Sequence, residues 1–226
     1  MYIGRIMHTN LITTSPDTTL VEANELIEKW AIDHLLVVNK DGDLKGILSD
    51  RDLKRYWASP ATTLSNHVLN YLLEKIQVKM IMVKTVVTVT TETTIERAAF
   101  VMQNHNINAL PVMENDKLVG IITSTDVMEV LLEAIGMNEE SVRISVLVDD
   151  RIGMIAEIST IMRDLGINIQ SFITCPLRDH PDVHQIVLRL PGDDGARAVA
   201  VLNKKGFKVM TRYVKDLTRY LPKADA

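Results

Sequence analysis

The sequence predicts an α/β (α+β) protein with three domains in a row, and three observations carry this prediction. A unit with the order β-α-β-β-α occurs twice, at an offset of about 75 residues. The repetition stops at a polar segment, and the remaining chain has the β-α-β-β-α-β order of a ferredoxin-like domain. Hydrophobic residues make up 46% of the 226 residues and charged residues 24%, a mixture that excludes wholesale disorder.

The internal repeat is visible in short matching segments. Residues 16–20 (PDTTL) correspond to residues 91–95 (TETTI), an offset of 75. Residues 46–49 (GILS) match residues 120–123 (GIIT) at an offset of 74, because the turn before the second match is one residue shorter. Two copies that differ by one turn residue indicate that a single structural unit was duplicated.

Each copy predicts the same elements. A short extended segment, at residues 11–13 or 86–89, precedes a helix whose apolar residues recur at helical spacing. A buried strand, a polar turn and a second strand follow, and the last helix starts near Ser49 or Thr123. The predicted core positions of the first helix are Leu20, Ala23, Ile27 and Trp30 in one copy and Ile95, Ala98, Ala99 and Met102 in the other.

The third domain begins with a strand at residues 142–148, where apolar and polar residues alternate. A turn at residues 149–153 leads into a helix with an apolar face that includes Ile155, and Gly166 ends this helix. Further elements are predicted as strands at residues 167–169, 183–190 and 207–210 and a helix at residues 196–203.

These elements set the predicted domain boundaries. They are repeat 1 at residues 1–60, a helical linker at 61–76, repeat 2 at 77–136, a linker at 137–141, the ferredoxin-like domain at 142–216 and a tail at 217–226.

The duplicated junction between a strand and the last helix carries residues with a chemical use. Ser49 and Asp52 in the first copy correspond to Thr123 and Asp126 in the second. A hydroxyl at a helix start can donate to phosphate or ribose, and a carboxylate one turn later can accept from a ribose diol. The free N–H groups of a helix N-terminus also favour phosphate. The pattern therefore predicts a nucleotide site.

Helix capping explains the same residues, because a hydroxyl followed three residues later by an acid forms a capping box. The duplication favours a ligand site without excluding this alternative. The copies also differ, since Arg51 can pair with phosphate and its counterpart Thr125 cannot. We therefore expect two clefts that differ in affinity or in ligand.

The duplicated motif Gly-apolar-apolar-(Ser/Thr)-x-x-Asp, in units of this order, resembles a tandem pair of CBS domains, a Bateman module. The turn at residues 150–153, followed by Gly166-Ile167-Asn168-Ile169, resembles an ACT domain. The order CBS-CBS-ACT at this length is similar to the acetoin-utilisation (AcuB) type of bacterial regulator.

The resemblance implies an adenine nucleotide (AMP, ADP or ATP) or S-adenosylmethionine as a regulatory ligand, with no required cofactor. The segments Ile6-Met7 and Ile81-Met82 would flank the adenine base, and His34 would contact phosphate. The nucleotide-binding residues implied are Ile6, Met7, His34, Gly46, Ser49, Arg51, Asp52, Ile81, Met82, Gly120, Thr123, Thr125 and Asp126.

In the ACT-like region the resemblance implies a small-metabolite site, often for an amino acid. The ligand residues implied are Asp150, Gly153, Met154 and Asn168. Two alternatives stay open: these residues only shape the turn, or the domain serves mainly in dimerisation.

Composition and missing motifs exclude several function classes. The net charge of −4 argues against a nucleic-acid partner, and no apolar run approaches the ~18 residues that a membrane span needs. The single Cys175 excludes an intrachain disulfide and fits a cytoplasmic location. A metal site at His180 and His184 is disfavoured, because these residues are expected in a loop without a third ligand.

The sequence therefore predicts a non-catalytic regulatory sensor, because no nucleophile and base set, P-loop or dinucleotide fingerprint occurs. The alternatives are an oligomerisation scaffold with vestigial sites and an enzyme that acts on the bound nucleotide. We expect a homodimer, with a second copy covering the apolar face of the first ACT-like strand formed by Val142, Ile144, Val146 and Val148.

Overall fold

The computed structural model describes residues 1–56, 71, 73–137 and 140–222. The chain forms two compact units, Met1–Met128 and Glu129–Ala226. The first unit holds both repeats and the second holds the ferredoxin-like domain, so the predicted fold class is confirmed. Most of the predicted linker helix at residues 61–76 lies outside the described residues.

The first repeat contains a three-stranded sheet in the order β1-β2-β3, with β1 parallel and β3 antiparallel to β2. Its elements are β1 (Thr13–Thr14), α1 (Leu20–Trp30), β2 (His34–Val38), β3 (Leu44–Ser49) and α2 (Asp50–Tyr56).

The second repeat has the same topology, with its sheet in the order β4-β5-β6. The register shift at Val37/Val38 recurs at the equivalent Val112/Met113, which supports the duplication. Its elements are α3 (Val78–Ile81), β4 (Val89–Thr90), α4 (Ile95–His105), β5 (Ala109–Glu114), β6 (Lys117–Thr123) and α5 (Ser124–Ala134).

Helices α1 and α4 bury the predicted apolar face, with two corrections. Leu20, Ala23 and Ile27 are buried in α1. Trp30 is 49% exposed, because it occupies the last turn of α1, and Ala99 is only partly buried. Each helix ends in a left-handed residue that is not glycine, Ala31 in the first repeat and Asn106 in the second.

The two repeats interlock, because the segment at the start of each repeat packs against the other repeat. Ile3 is fully buried and its N–H donates to Thr93 O, while the His8 backbone pairs with Ile121 of β6. Reciprocally, Val78 N–H donates to Thr18 O, and Val83 pairs with Ile47 of β3. The lead segment of each repeat therefore lies beside the other repeat's last strand, where the duplicated motif begins.

The second unit has an antiparallel sheet in the order β10-β7-β9-β8. Its core joins one face of the sheet to both helices and includes Ile144, Ile158, Leu188 and Leu202. Its elements are β7 (Ser141–Asp149), α6 (Met154–Asp164), β8 (Ser171–Leu177), β9 (His180–Pro191), α7 (Gly195–Lys204) and β10 (Val209–Met210).

Three details of this domain differ from the prediction. The strand expected at residues 167–169 starts at Ser171, because Ile167 N–H still donates to Met162 O at the end of α6. The loop expected at residues 180–184 belongs to β9, which leaves a shorter hairpin turn. Ile155, predicted on the apolar face of the helix, is exposed on α6, and Cys175 is exposed on β8.

The reason given for a homodimer is also wrong. Ile144, Val146 and Val148 pack against the domain's own helices, so that face is not free for a second copy. Leu147 lies on the opposite face of β7, where it packs with residues of the predicted tail, Leu217, Tyr220 and Leu221. Those residues therefore complete the domain. Among the described residues, no helix is long and apolar enough to cross a membrane.

Candidate functional site

Two cavities lie in the first unit, near the duplicated motifs. The first cavity, of about 620 Å³, is lined by residues 7–10, residues 30–34 and Thr123, among others. The second cavity, of about 470 Å³, is lined by residues 49–52 and residues 106–109, among others. Both volumes are typical of small-molecule sites.

Each cavity draws residues from both repeats because the repeats interlock. The first cavity joins the loop after α1 of the first repeat to Ile121 and Thr123 of β6. The second joins Ile47 and Ser49 of the first repeat to the loop after α4 of the second. The duplicated fold thus produces two related but unequal clefts.

The first motif forms a complete capping box. The Ser49 N–H and Oγ donate to Asp52 Oδ2 over 3.0 and 2.7 Å, and the Asp52 N–H donates back to Ser49 Oγ over 3.2 Å. The other oxygen, Asp52 Oδ1, lies 3.8 Å from Arg55 Nη1. Capping therefore uses one carboxylate oxygen and leaves the second for another partner at a cavity that Asp52 lines.

The second motif forms the same box but engages both oxygens. The Thr123 N–H and Oγ1 donate to Asp126 Oδ2 over 2.7 and 2.8 Å. His8 Nε2 lies 2.9 Å from Asp126 Oδ1. Burial opposes ionisation of Asp126, but the hydrogen bonds from Thr123 and His8 together lower its pKa. A ligand hydroxyl at this carboxylate would have to displace His8 or share Oδ1 with it.

The motif glycines allow close packing of the lead segments. A Cβ atom on Gly46 would lie 2.6 Å from Met82 Sδ, and one on Gly120 would lie 2.5 Å from Met7 Sδ. Both distances are shorter than any ordinary contact, so a side chain at either position would push the methionine away. The glycines thus permit the interlock.

The cavities bring together about half of the predicted nucleotide residues. Met7, His34 and Thr123 line the first cavity. The second is lined by His34, Ser49, Arg51, Asp52, Thr123 and Thr125. The predicted residues that line neither cavity are Ile6, Gly46, Ile81, Met82, Gly120 and Asp126.

Arg51 and Thr125 line the same cavity, which corrects the expectation that they distinguish two clefts. The first turns of α2 and α5 both contribute to the second cavity. The first motif lines only this cavity, whereas Thr123 of the second motif lines both. The contrast between the cavities lies in other residues. Arg51 and Arg55 line the second cavity, and the described lining of the first contains no Arg or Lys.

His34 and Asp33 line both cavities. His34 Nδ1 is buried without a hydrogen-bond partner among the described residues. Burial lowers the pKa of His34 below its usual value, against the opposing charges of Asp33, Asp50 and Asp52. The imidazole is therefore neutral near pH 7, so in this structure it offers a phosphate a hydrogen bond rather than a charge.

Several lining residues were not foreseen from the sequence. His8 and Trp30 line the first cavity, and Arg55, Asn106 and Asn108 line the second. The offset of 75 residues could have indicated the two loops, because the segments after α1 and α4 occupy equivalent positions in the repeats.

The predicted ACT ligand residues lie at the two ends of α6, with Asp150, Gly153 and Met154 at its start and Asn168 beyond its C-terminal end. Gly153 precedes the helix with a φ of 94°, a conformation that favours glycine. Asp150 Oδ1 lies 3.3 Å from His184 Nδ1, and Asn168 is exposed in the loop before β8. The Met154 side chain is buried in the core, so only its backbone is available to a ligand. None of the three described cavities includes these residues.

Comparison with known proteins identifies the domains. The CBS domain family matches residues 3–59 and 78–133, and the ACT domain family matches residues 142–206. A CBS domain-containing protein of Dictyostelium discoideum is 32% identical over 134 residues, which are 59% of this chain and 92% of that protein. Homoserine O-acetyltransferase of Methanosalsum zhilinae is 32% identical over 130 residues, which are 57% of this chain but 24% of that enzyme.

Among solved structures, a candidate acetoin utilization protein (AcuB) from Vibrio cholerae is similar, with a TM-score of 0.50 and 29% identity. The match covers 62% of this chain and 97% of that chain. CBS and ACT domains are typically regulatory modules, and the match to the acetyltransferase spans about a quarter of that enzyme. The chain therefore belongs to the CBS-domain proteins, with a tandem CBS pair followed by an ACT domain.

Proposed function

We propose that the CBS pair binds an adenine nucleotide or an adenosyl ligand and that the chain is a regulatory sensor without a catalytic reaction of its own. One observation carries the proposal. The second cavity combines a carboxylate oxygen of Asp52 that capping leaves free with two arginines, Arg51 and Arg55. This is the set of groups that a ribose diol and a phosphate require.

Binding in the second cavity follows from this chemistry. Asp52 Oδ1 accepts from a ribose hydroxyl, while the Arg51 and Arg55 guanidinium groups donate to phosphate oxygens. Apolar side chains in the lining, including Val83, Val86 and Ile107, provide a surface for the adenine ring. AMP, ADP and ATP all carry these three parts.

The first cavity supports a less negative ligand. Its described lining contains Asp33 and the partly exposed ring of Trp30 but neither Arg nor Lys. A carboxylate and an aromatic face both favour a cation. S-adenosylmethionine, whose sulfonium is positive, fits this cavity better than a nucleotide triphosphate does.

Regulation requires that a ligand prefer one arrangement of the chain over another. We propose that occupancy of the CBS cavities changes the populations of such arrangements in a homodimer. The ACT domain contributes a small-metabolite site at the Gly153 turn or serves in dimerisation. The likeness to the Vibrio cholerae protein supports a link to acetoin utilisation.

The complete capping boxes favour one alternative, a scaffold in which the motif only stabilises helices. Calorimetric titration of the full chain with AMP, ATP and S-adenosylmethionine distinguishes the two functions. The proposal expects saturable binding of at least one of these ligands with no turnover. If none of the three ligands bound, the scaffold function would be favoured. Conversion of a bound nucleotide to product would instead indicate an enzyme.

A further inference from the structure

The lead segments of the two repeats occupy equivalent positions but differ in one side chain beside the duplicated motif. The His8 backbone exchanges two hydrogen bonds with Ile121, of 2.9 and 3.0 Å, and the Val83 backbone exchanges two with Ile47, of 2.9 and 3.1 Å. Residues 8 and 83 are separated by 75 positions, the offset of the repeat. The backbone arrangement is therefore shared, and a difference between the two places has to come from their side chains.

The His8 side chain occupies the carboxylate of the second motif. Its Nε2 lies 2.9 Å from Asp126 Oδ1, and an ionised carboxylate only accepts, so His8 is the donor. The other oxygen, Asp126 Oδ2, accepts from the N–H and the hydroxyl of Thr123. Both oxygens of Asp126 are therefore engaged within the chain, although the His8 side chain is itself 61% exposed.

The first motif receives no such hydrogen bond from its lead segment. Val83 takes the position of His8, and a valine side chain has no donor. The nearest cation to Asp52 Oδ1 in the described part of the chain is Arg55 Nη1, at 3.8 Å, which is beyond hydrogen-bond distance. One oxygen of Asp52 therefore stays available to a ligand, in contrast to Asp126.

The linings of the two cavities reflect this contrast. Asp52 lines the second cavity directly. The first cavity is lined by His8 and Thr123, the two hydrogen-bond partners of Asp126, and not by Asp126 itself. The carboxylate therefore lies behind its two partners as seen from the first cavity, and the imidazole of His8 is the group that covers its Oδ1.

We propose that His8 is a specificity-determining residue of the first cavity: it occupies Asp126, so this cavity binds an adenosyl ligand without recognising its ribose hydroxyls. The second cavity, where Asp52 is free, recognises the diol. This inference rests on the proposed binding of adenosyl ligands and adds which part of the ligand each cavity reads. A ligand without ribose hydroxyls is accepted by the first cavity and disfavoured by the second.

Fluorescence of Trp30 measures occupancy of the first cavity, because Trp30 lines this cavity and not the second. The full chain with Trp57→Phe, which leaves Trp30 as the sole tryptophan, is titrated with adenosine and with 2′,3′-dideoxyadenosine. The two affinities should agree within about threefold, since His8 already satisfies the carboxylate. His8→Ala should make adenosine bind about tenfold or more tightly than the dideoxy compound, because a hydroxyl can then donate to Asp126.

His8→Gln is the matched control, because the glutamine amide keeps a donor for the carboxylate and should keep the parent ratio of affinities. In His8→Ala/Asp126→Ala the preference for adenosine should disappear again, because the acceptor is gone. Circular dichroism of each variant provides the check on folding.

Two kinds of result would overturn the proposal while adenosyl binding itself stands. One is a preference for adenosine of about tenfold or more in the parent chain, which would mean that Asp126 is already open to the ligand. The other is an unchanged ratio in His8→Ala, or a gain that survives in the double variant. If neither nucleoside nor S-adenosylmethionine changed Trp30 fluorescence in any of these chains, adenosyl binding in this cavity would be contradicted, and this proposal with it.

Discussion

The two cavities of the CBS pair arise from the same duplicated unit but differ in the charged side chains that line them, since among the described residues arginines line only the second. Both lie beside a capping box with the same three hydrogen bonds. The second cavity adds Arg51 and Arg55, whereas the first adds Trp30 and His8. Duplication has therefore preserved the residues that form the fold, while the side chains around them differ between the cavities. Under the proposed function, this difference sets which ligand each cavity prefers.

The largest effect on this contrast is expected from Asp52→Ala. Loss of the ribose contact should weaken nucleotide binding in the second cavity by about 1.5–3 kcal/mol, or roughly ten- to a hundredfold. Binding of S-adenosylmethionine in the first cavity should change much less. Calorimetry with ATP and S-adenosylmethionine measures both.

Asp52→Ala also removes a helix cap worth about 1 kcal/mol, so a cap away from both cavities serves as the control. Thr19 forms the capping box of α1 with Glu22 and lines neither cavity. Thr19→Ala should lower stability in urea but leave ATP affinity unchanged. If both variants reduce ATP affinity equally, Asp52 acts through folding alone.

Gly46→Ala should destabilise the first unit by about 1–3 kcal/mol, because the new methyl group overlaps Met82 Sδ. Gly120→Ala should have a similar effect through Met7. Urea unfolding measures both, and Gly192→Ala is the control, since a Cβ at Gly192 meets nothing within 4 Å. The double variant Gly46→Ala/Met82→Ala should recover part of the loss. If Gly46→Ala left the free energy of unfolding unchanged, the close packing of Met82 against Gly46 would be contradicted.

Arg51→Gln should weaken ATP binding about tenfold and adenosine binding little, because only ATP carries phosphate. The loss should shrink as salt rises, since screening weakens contacts between exposed charges. Titration of both ligands at two salt concentrations measures the difference. Equal losses for ATP and adenosine would mean that the Arg51 side chain does not reach the ligand.

The smallest expected effect concerns His34, which lines both cavities. Burial lowers the pKa of His34 in the folded chain below its ordinary value of about 6.5. At pH values below 6.5 the unfolded chain therefore binds more protons at this residue than the folded chain does. The stability associated with His34 is therefore complete above that pH and is lost as the pH falls toward the folded value. Thermal midpoints should drop between pH 7 and pH 5.5, and less so in His34→Gln. An equal drop in wild type and variant would assign it to other groups.

Much of the fold could be predicted from the sequence, because the repeat and the apolar spacing are local signals. The helix from Leu20 and the strand from Leu44 follow directly from them. The strand at residues 167–169 was wrong, because the helix end extends locally to Ile167, whose N–H donates back to Met162 O after the left-handed Gly166. Pairing between strands, by contrast, decides whether the sequence around His180 forms a loop or part of β9.

The candidate site was less predictable, because its composition depends on how the repeats interlock. The sequence indicated Ser49 and Asp52 through a duplicated motif. It gave no local sign that Gly46 contacts Met82 or that His8 reaches Asp126, more than a hundred residues away. Contacts of this range need the assembled unit.

Titration of S-adenosylmethionine into the chain already saturated with ATP tests the central claim most directly. Because arginines line only the second cavity among the described residues, we expect ATP to occupy that cavity and S-adenosylmethionine still to bind one further site. Arg51→Gln should then weaken only the ATP step. Loss of S-adenosylmethionine binding in the presence of ATP, or failure of ATP itself to bind, would contradict the assignment of different ligands to the two cavities.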